Sequence, residues 1–179
     1  DYTAQTGSLT FGAGDTTQLI TVAITDDAIF EGVENFNVTL NNPSNATITD
    51  SLGVGTISDT EDLPGLAIND VSVSETAGTA IFTVTRTGST TQTATVDFTT
   101  ADNTATSAND YTAQTGSLTF GAGDTTQLIT VAITDDAIFE GVESFNVTLS
   151  NPTNTTITDS LGVGTCLLYT SPSPRDPNR

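Results

Sequence analysis

The feature that most constrains this chain is a repeat: residues 1–56 recur at 110–165, an offset of 109, with only four differences. These are Asn35/Ser144, Asn41/Ser150, Ser44/Thr153 and Ala46/Thr155, all polar or small and expected to face water. A repeat of this length is a whole domain rather than a solenoid rung, so the expected architecture is domains in tandem. Within the repeat, residues 127–134 (QLITVAIT) place Ile129, Val131 and Ile133 on one face, and Phe145, Val147 and Leu149 alternate with Ser144, Asn146 and Thr148. Both have the period of two of half-buried strands.

Residues 1–62 read as the C-terminal part of a first domain, 63–65 as a hinge, and 66–165 as a second domain. The chain opens without Met and reads as a fragment. Strands are expected over 66–73, 79–86, 93–100, 116–120, 127–134 and 143–149, with a last one starting near Gly162. Turn chemistry separates them: Thr87-Gly88, Gly121-Ala122-Gly123-Asp124 and Asn151-Pro152 supply positive or fixed φ. Seven short strands without a helical period predict an all-β sandwich. Its predicted core is Val84, Val96, Phe98, Leu118, Phe120, Ile129, Val131, Ile133, Phe145, Val147 and Leu149.

From Cys166 the repeat breaks. Residues 166–179 hold the only cysteine and two of the three basic residues, Arg175 and Arg179. The string resembles the conceptual translation of a sequencing adapter, the alternative being a Pro-rich linker. It is set aside as a non-native tail, and the native continuation is expected to resemble Ile57-Ser58-Asp59-Thr60-Glu61-Asp62.

Charge narrows the function. The chain has 22 acidic residues, three basic residues and no histidine, a net charge of −19. Such a surface repels nucleic acid and anionic membrane, so its counterparts are cations. No apolar run is long enough to span a bilayer, so no membrane insertion is expected. The lone cysteine excludes a disulfide framework. A Thr/Asn/Gly-rich, lysine-free composition fits an exported bacterial protein, extracellular or on the cell surface.

The acids cluster in Asp135-Asp136-Ala137-Ile138-Phe139-Glu140-Gly141-Val142-Glu143, four carboxylates in nine residues, repeated letter for letter from Asp26 to Glu34. No Lys or Arg lies within either stretch. Hard cations such as Ca²⁺ take about six to eight oxygen ligands, and unneutralised carboxylates would repel one another. The cluster is therefore the candidate metal site, with Glu75 and Asp102 as further acidic loop positions at the same end. Asp110 and Tyr111 are read as fixing a loop, and Asp124 as a turn residue.

Val73-Ser74-Glu75, Asp97-Phe98-Thr99-Thr100-Ala101-Asp102-Asn103-Thr104-Ala105, Asn109-Asp110-Tyr111, Leu118-Thr119-Phe120-Gly121-Ala122-Gly123-Asp124 and Asp135-Asp136-Ala137-Ile138-Phe139-Glu140 occur in an order that resembles the Calx-beta domain. The resemblance covers essentially all of 66–165, and 1–62 match the later part of the module. It implies a seven-stranded, immunoglobulin-like Greek-key sandwich with Ca²⁺ gathered at one end. The implied ligands in the second copy are Glu75, Asp102, Asp135, Asp136, Glu140, Glu143 and the Ile138 carbonyl. In the first copy they are Asp26, Asp27, Ile29, Glu31 and Glu34, joined by Asp59 and Glu61 just past the final strand. Thr60 departs from the acidic run there. The first copy lacks counterparts of Glu75 and Asp102, and the second ends before its counterpart of Asp59.

The leading expectation is a non-enzymatic, calcium-binding adhesion or spacer module whose partners are Ca²⁺, neighbouring repeats and other cell-surface proteins or glycans. A metal-independent structural or carbohydrate-binding sandwich is the alternative. An enzyme would have to use Glu140 and Glu143 as a glycosidase pair, in a chain with no histidine and no nucleophile elbow.

Overall fold

The computed structural model describes residues 1–135 and 141–167. The chain divides into two compact units, Asp1–Glu61 and Asp62–Arg179. In the first, β1 (Glu34–Thr39) and β2 (Leu52–Ile57) pair antiparallel, with Glu34 opposite Ile57 and Thr39 opposite Leu52. Tyr2 bridges to Ile24 and stacks on Phe36 with ring centroids 4.8 Å apart. Residues 7–11 and 18–23 form no ladder.

The second unit is a sandwich. Its strands are β3 (Gly65–Ile68), β4 (Val71–Ser74), β5 (Thr79–Thr87), β6 (Ala94–Asp102), β7 (Thr115–Phe120), β8 (Thr126–Ala132), β9 (Glu143–Thr153), β10 (Thr156–Asp159) and β11 (Leu161–Leu167). One sheet has the order β10-β3-β5-β8 and the other β4-β11-β9-β6-β7. Side chains alternate as half-buried strands require: on β5, Ala80, Phe82, Val84 and Arg86 point inward, while Ile81 stays half exposed.

The seven expected strands become nine segments for two physical reasons. The strand expected over 66–73 is two strands in different sheets, broken at Asn69-Asp70. There side chains replace the backbone ladder. Asn69 Oδ1 accepts the Thr83 N–H of one sheet at 2.6 Å, and Asp70 Oδ1 accepts the Val163 N–H of the other at 2.8 Å. The second reason is β10, in the reversal between β9 and β11, which pairs parallel with β3.

One further expectation is corrected. Thr155, expected to face water, is buried, and its Oγ1 donates to the Pro64 carbonyl at 2.8 Å. The same carbonyl accepts the Thr156 N–H at 2.8 Å and the Thr156 hydroxyl at 3.1 Å, so Pro64 is anchored to the sandwich and Gly65 already opens β3. The last strand runs to Leu167, and Cys166 is buried opposite Glu143 and Val73. Cys166 takes the position that Ile57 holds in the first copy, where Ile57 is half-buried, and the thiol fills it as a small hydrophobe.

Every predicted core residue is buried except Phe98, which packs partly buried against the cluster. Leu66, Ile68, Phe82, Tyr111 and Cys166 join it. The turns form as their residues dictate. Asn151 and Gly123 take positive φ, and Asp124 Oδ2 accepts the Gly121 N–H at 2.9 Å.

Candidate metal centre

Pairing around Tyr111 brings distant acids to one end of the second unit. Tyr111 bridges to Ile133, the Thr134 N–H donates to the Asp110 carbonyl at 2.9 Å, and the Ile133 N–H donates to the Gly78 carbonyl at 2.9 Å. Asp110, Asp135 and the short turn Glu75–Ala77 are thereby gathered at the end of β8. Glu143 opens β9 at the same end, opposite Cys166.

The electrostatics report this convergence. Burial pushes the Glu143 carboxyl above its ordinary value, and Asp110 and Glu75 push it in the same direction. The Cys166 thiol is pushed up to about 11 by burial first and then by Glu75, Asp110 and Glu143. Asp136, the Ile138 carbonyl and Glu140 lie outside the described residues.

Asp102 has a different place. Its Oδ1 accepts the Tyr111 hydroxyl at 2.5 Å and the Ser107 N–H at 2.9 Å, and these bonds, the tyrosine's first, hold the carboxyl below its usual range. Burial, followed by Asp102, pushes Tyr111 up to about 12. Tyr111 also stacks on Phe145 with centroids 4.4 Å apart. Asp102 thus fixes the tyrosine next to Asp110, while Asp110 Oδ2 accepts the Thr106 N–H at 2.6 Å.

The first unit shows the other part of the arrangement. Carboxylate oxygens of Asp1, Glu31 and Glu34 lie within 4.8 Å of one another. They line an open cleft with Asp26, Asp27, Ile29, Asp59 and Glu61. Asp59 closes the loop onto β2: its Oδ2 accepts the N–H groups of Glu31 and, at 3.1 Å, of Gly32, and its Oδ1 accepts the Glu61 N–H at 3.2 Å. Gly32 has φ +82°, a left-handed turn at the point where the two successive N–H groups meet one carboxylate. These donors, Glu31 first, hold Asp59 well below the usual carboxylate range. Glu61 is pushed up, chiefly by its hydrogen bond to Asp59.

Asp1 and its counterpart Asp110 are the acidic neighbours of these clusters that sequence reasoning passed over. The signal was the Asp-Tyr pair itself, present in both copies. An aromatic that closes the end of the core carries the preceding carboxylate to the loop. Chemically the set suits a hard cation. Oxygens bound at about 2.3 to 2.6 Å stand at most about 5 Å apart across the ion. The Asp1, Glu31 and Glu34 oxygens meet that limit, and among the described residues no Lys or Arg lines the cleft.

The family model of the Calx-beta domain matches residues 1–60 and again 58–165. The chain belongs to the Calx-beta family. The extracellular matrix organizing protein FRAS1 of Mus musculus is 30% identical over 169 residues, which is 86% of this chain but 4% of that protein. The sodium/calcium exchanger 1 of Canis lupus familiaris is 45% identical over 78 residues, 43% of this Calx-beta chain and 8% of the exchanger. Among solved structures, the apo-form Calx CBD1 domain superposes with a TM-score of 0.58 at 25% identity, covering 61% of this chain and all of that one. The calcium binding domain CBD12 of CALX1.1 gives 0.55 at 26% identity, over 57% of this chain and 44% of that one. The two copies are Calx-beta repeats, and the sandwich is the fold of those domains.

Proposed function

We propose that this chain is a non-enzymatic calcium-binding repeat segment of a large extracellular or cell-surface protein, in which Ca²⁺ at the acidic ends stiffens each module. The observation that carries it is the cluster of Asp1, Glu31 and Glu34 oxygens within 4.8 Å, with no basic side chain lining the cleft among the described residues. A calcium binding domain among the similar solved structures supports the choice of ion, and an extracellular matrix organizing protein among the relatives supports the setting. In the first copy the ligands are Asp1, Asp26, Asp27, Glu31, Glu34, Asp59 and Glu61, with the Ile29 carbonyl. In the second they are Glu75, Asp110, Asp135, Asp136, Glu140 and Glu143, with the Ile138 carbonyl, and Asp102 supports them through Tyr111. Neighbouring repeats, cell-surface proteins or glycans are the partners of such a module. The domain boundaries near residues 62–66 and the non-native tail from Cys166 belong to this same proposal.

Calorimetric titration of the whole chain with Ca²⁺ tests the reading. Extracellular modules bind at about 10⁻⁴ to 10⁻³ M. One site at ten times its Kd adds roughly 1.4 kcal/mol, a melting shift of several degrees. NaCl at equal ionic strength with a chelator controls for screening. Asp135→Asn with Glu140→Gln should remove the calcium-specific shift of the second copy. Heat no greater than dilution would leave a metal-independent sandwich.

A further inference from the structure

β6 ends at Asp102, opposite Phe145, and the next rung toward the start of β9 is built by the loop that follows. The Thr104 hydroxyl accepts the Ser144 N–H at 2.8 Å, and the Ala105 N–H donates to the Ser144 carbonyl at 2.8 Å. The Asn103 side-chain amide adds a third bond, donating to Ser144 Oγ at 2.9 Å. A side-chain oxygen thus stands where a strand would put a main-chain carbonyl. The pairing of β9 with β11 does not itself call for serine here. Ser144 lies opposite Thr165, and in the first copy Asn35 lies opposite Thr56, whose hydroxyl its Oδ1 accepts at 2.8 Å.

Both ends of this clip adjoin a carboxylate. Glu143 precedes Ser144, and Thr106, which follows Ala105, donates its N–H to Asp110 Oδ2 at 2.6 Å and its hydroxyl to the same oxygen at 3.2 Å. Asp110 comes close enough to Glu143 to push that carboxyl up. Like charges repel, so the loop needs a brace to stay against β9 when no cation lies between them. Thr104 is exposed, so packing of the core does not require it.

We infer that Thr104 is a positioning residue for calcium: through Ser144 its hydroxyl braces the β6–β7 loop against the start of β9, so that Asp110 and Glu143 stand together before the ion arrives. This role rests on the calcium reading and adds to it what sets the affinity. Ordering done in folding is not repeated in binding, and outer partners that orient metal ligands are worth about 10- to 100-fold in affinity.

The full chain is titrated with CaCl₂ at constant ionic strength while the amide NMR signals of Ala105, Thr106 and Ser144 are followed; none of these has an identical counterpart in the first copy. Thr104→Val keeps the shape and removes the acceptor, whereas Thr104→Ser keeps the hydroxyl. The valine variant should need about tenfold more calcium or above to reach its midpoint, and in chelator its Ser144 and Ala105 amides should exchange about tenfold faster. The serine variant should stay within about twofold of the parent in both. An unchanged midpoint in the valine variant overturns the inference even if its melting temperature falls, since a purely structural brace moves stability alone. A serine variant as weak as the valine variant overturns it too, because the hydroxyl is then not what matters. A parent chain whose signals ignore calcium sinks the calcium reading and this role with it, and the exchange rates in chelator tell that failure from the lack of a brace.

Discussion

Residues 7–11 and 116–120 share one sequence, as do 18–23 and 127–132, yet only the later copies are strands. By contrast, β1 and β2 form in the first unit just as β9 and β11 do in the second. The difference is where the hydrogen-bond partner lies. β1 and β2 are each other's partners and lie close together in the chain, whereas β7 and β8 need β6 and β5. Alternation and β-branching therefore make a segment competent for a strand, and the ladder is completed only by another stretch of chain. Burial follows the same rule.

The strongest break of the comparison is at the aromatic centre. Phe145 is fully buried between Tyr111 and Phe82, so Phe145→Ala should lower the stability of the second unit by about 3–5 kcal/mol. The same change at the half-buried Phe36 should cost less than about 1 kcal/mol. Urea unfolding midpoints of the two variants measure both, and equal losses would mean that the first copy carries a closed core.

Next in size is a glycine pair. A Cβ on Gly164 would lie 2.4 Å from the Phe145 ring, and one on Gly55 would lie 2.3 Å from Phe36. Phe145 has nowhere to move, so Gly164→Ala should cost about 1–3 kcal/mol, while Phe36 can swing outward and Gly55→Ala should cost about 0.5 kcal/mol or less. The same urea midpoints rank them.

A pH ramp distinguishes the copies without mutation. Tyr111 has its folded pKa pushed up to about 12, above the unfolded value of about 10. Its protonated form is the one the fold favours, so this contribution is complete below pH about 10 and is lost as pH rises through about 12. Phenolate absorbance should report ionisation of Tyr111 together with loss of the second unit. Tyr111→Phe, which cannot ionise, should flatten this alkaline loss. A loss that persists unchanged in that variant would place its origin elsewhere.

The smallest expected effect is at Thr155, which is Ala46 in the first copy. Thr155→Ala removes one donor from a Pro64 carbonyl that keeps two from Thr156, so it should cost about 0.5–1 kcal/mol. Ala46→Thr should be neutral within about 0.5 kcal/mol. A thermal scan of the pair would show whether residue 155 stabilises through burial, as its position here implies.

Much of the sandwich was legible because its signals are local. Val147, Leu149, Ile129 and Val131 advertise their faces by alternation, and Gly123 and Asn151 advertise their turns. The split at Asn69-Asp70 was not, since it depends on Thr83 and Val163 meeting those two side chains across different sheets. Thr155 reads as a surface threonine until Pro64 arrives opposite it. At the acidic end, the repeat of Asp26 to Glu34 exposed the central loop at once. Asp110 stayed hidden behind Tyr111 because its place beside Glu143 depends on the bridge to Ile133. Asp102 looked equivalent to Glu75 in sequence, and its bonds from the Tyr111 hydroxyl and the Ser107 N–H depend on the folded loop.

The parallel pairing of β4 with β11 has a mechanical meaning. Val71 to Ser74 run beside Gly164 to Leu167 in the same direction, one near the entry of the domain and the other at its exit. Tension along the chain draws β4 toward its N-terminus and β11 toward its C-terminus, so their hydrogen bonds are loaded together in shear. β1 and β2 are antiparallel with Glu34 beside Ile57, and the same tension opens them one rung at a time from that end. Pulled at constant speed, the second unit should rupture in one high-force event and the first should yield at low force. A sheared clasp of this kind lets a domain hold its length under load for as long as its unfolding rate allows.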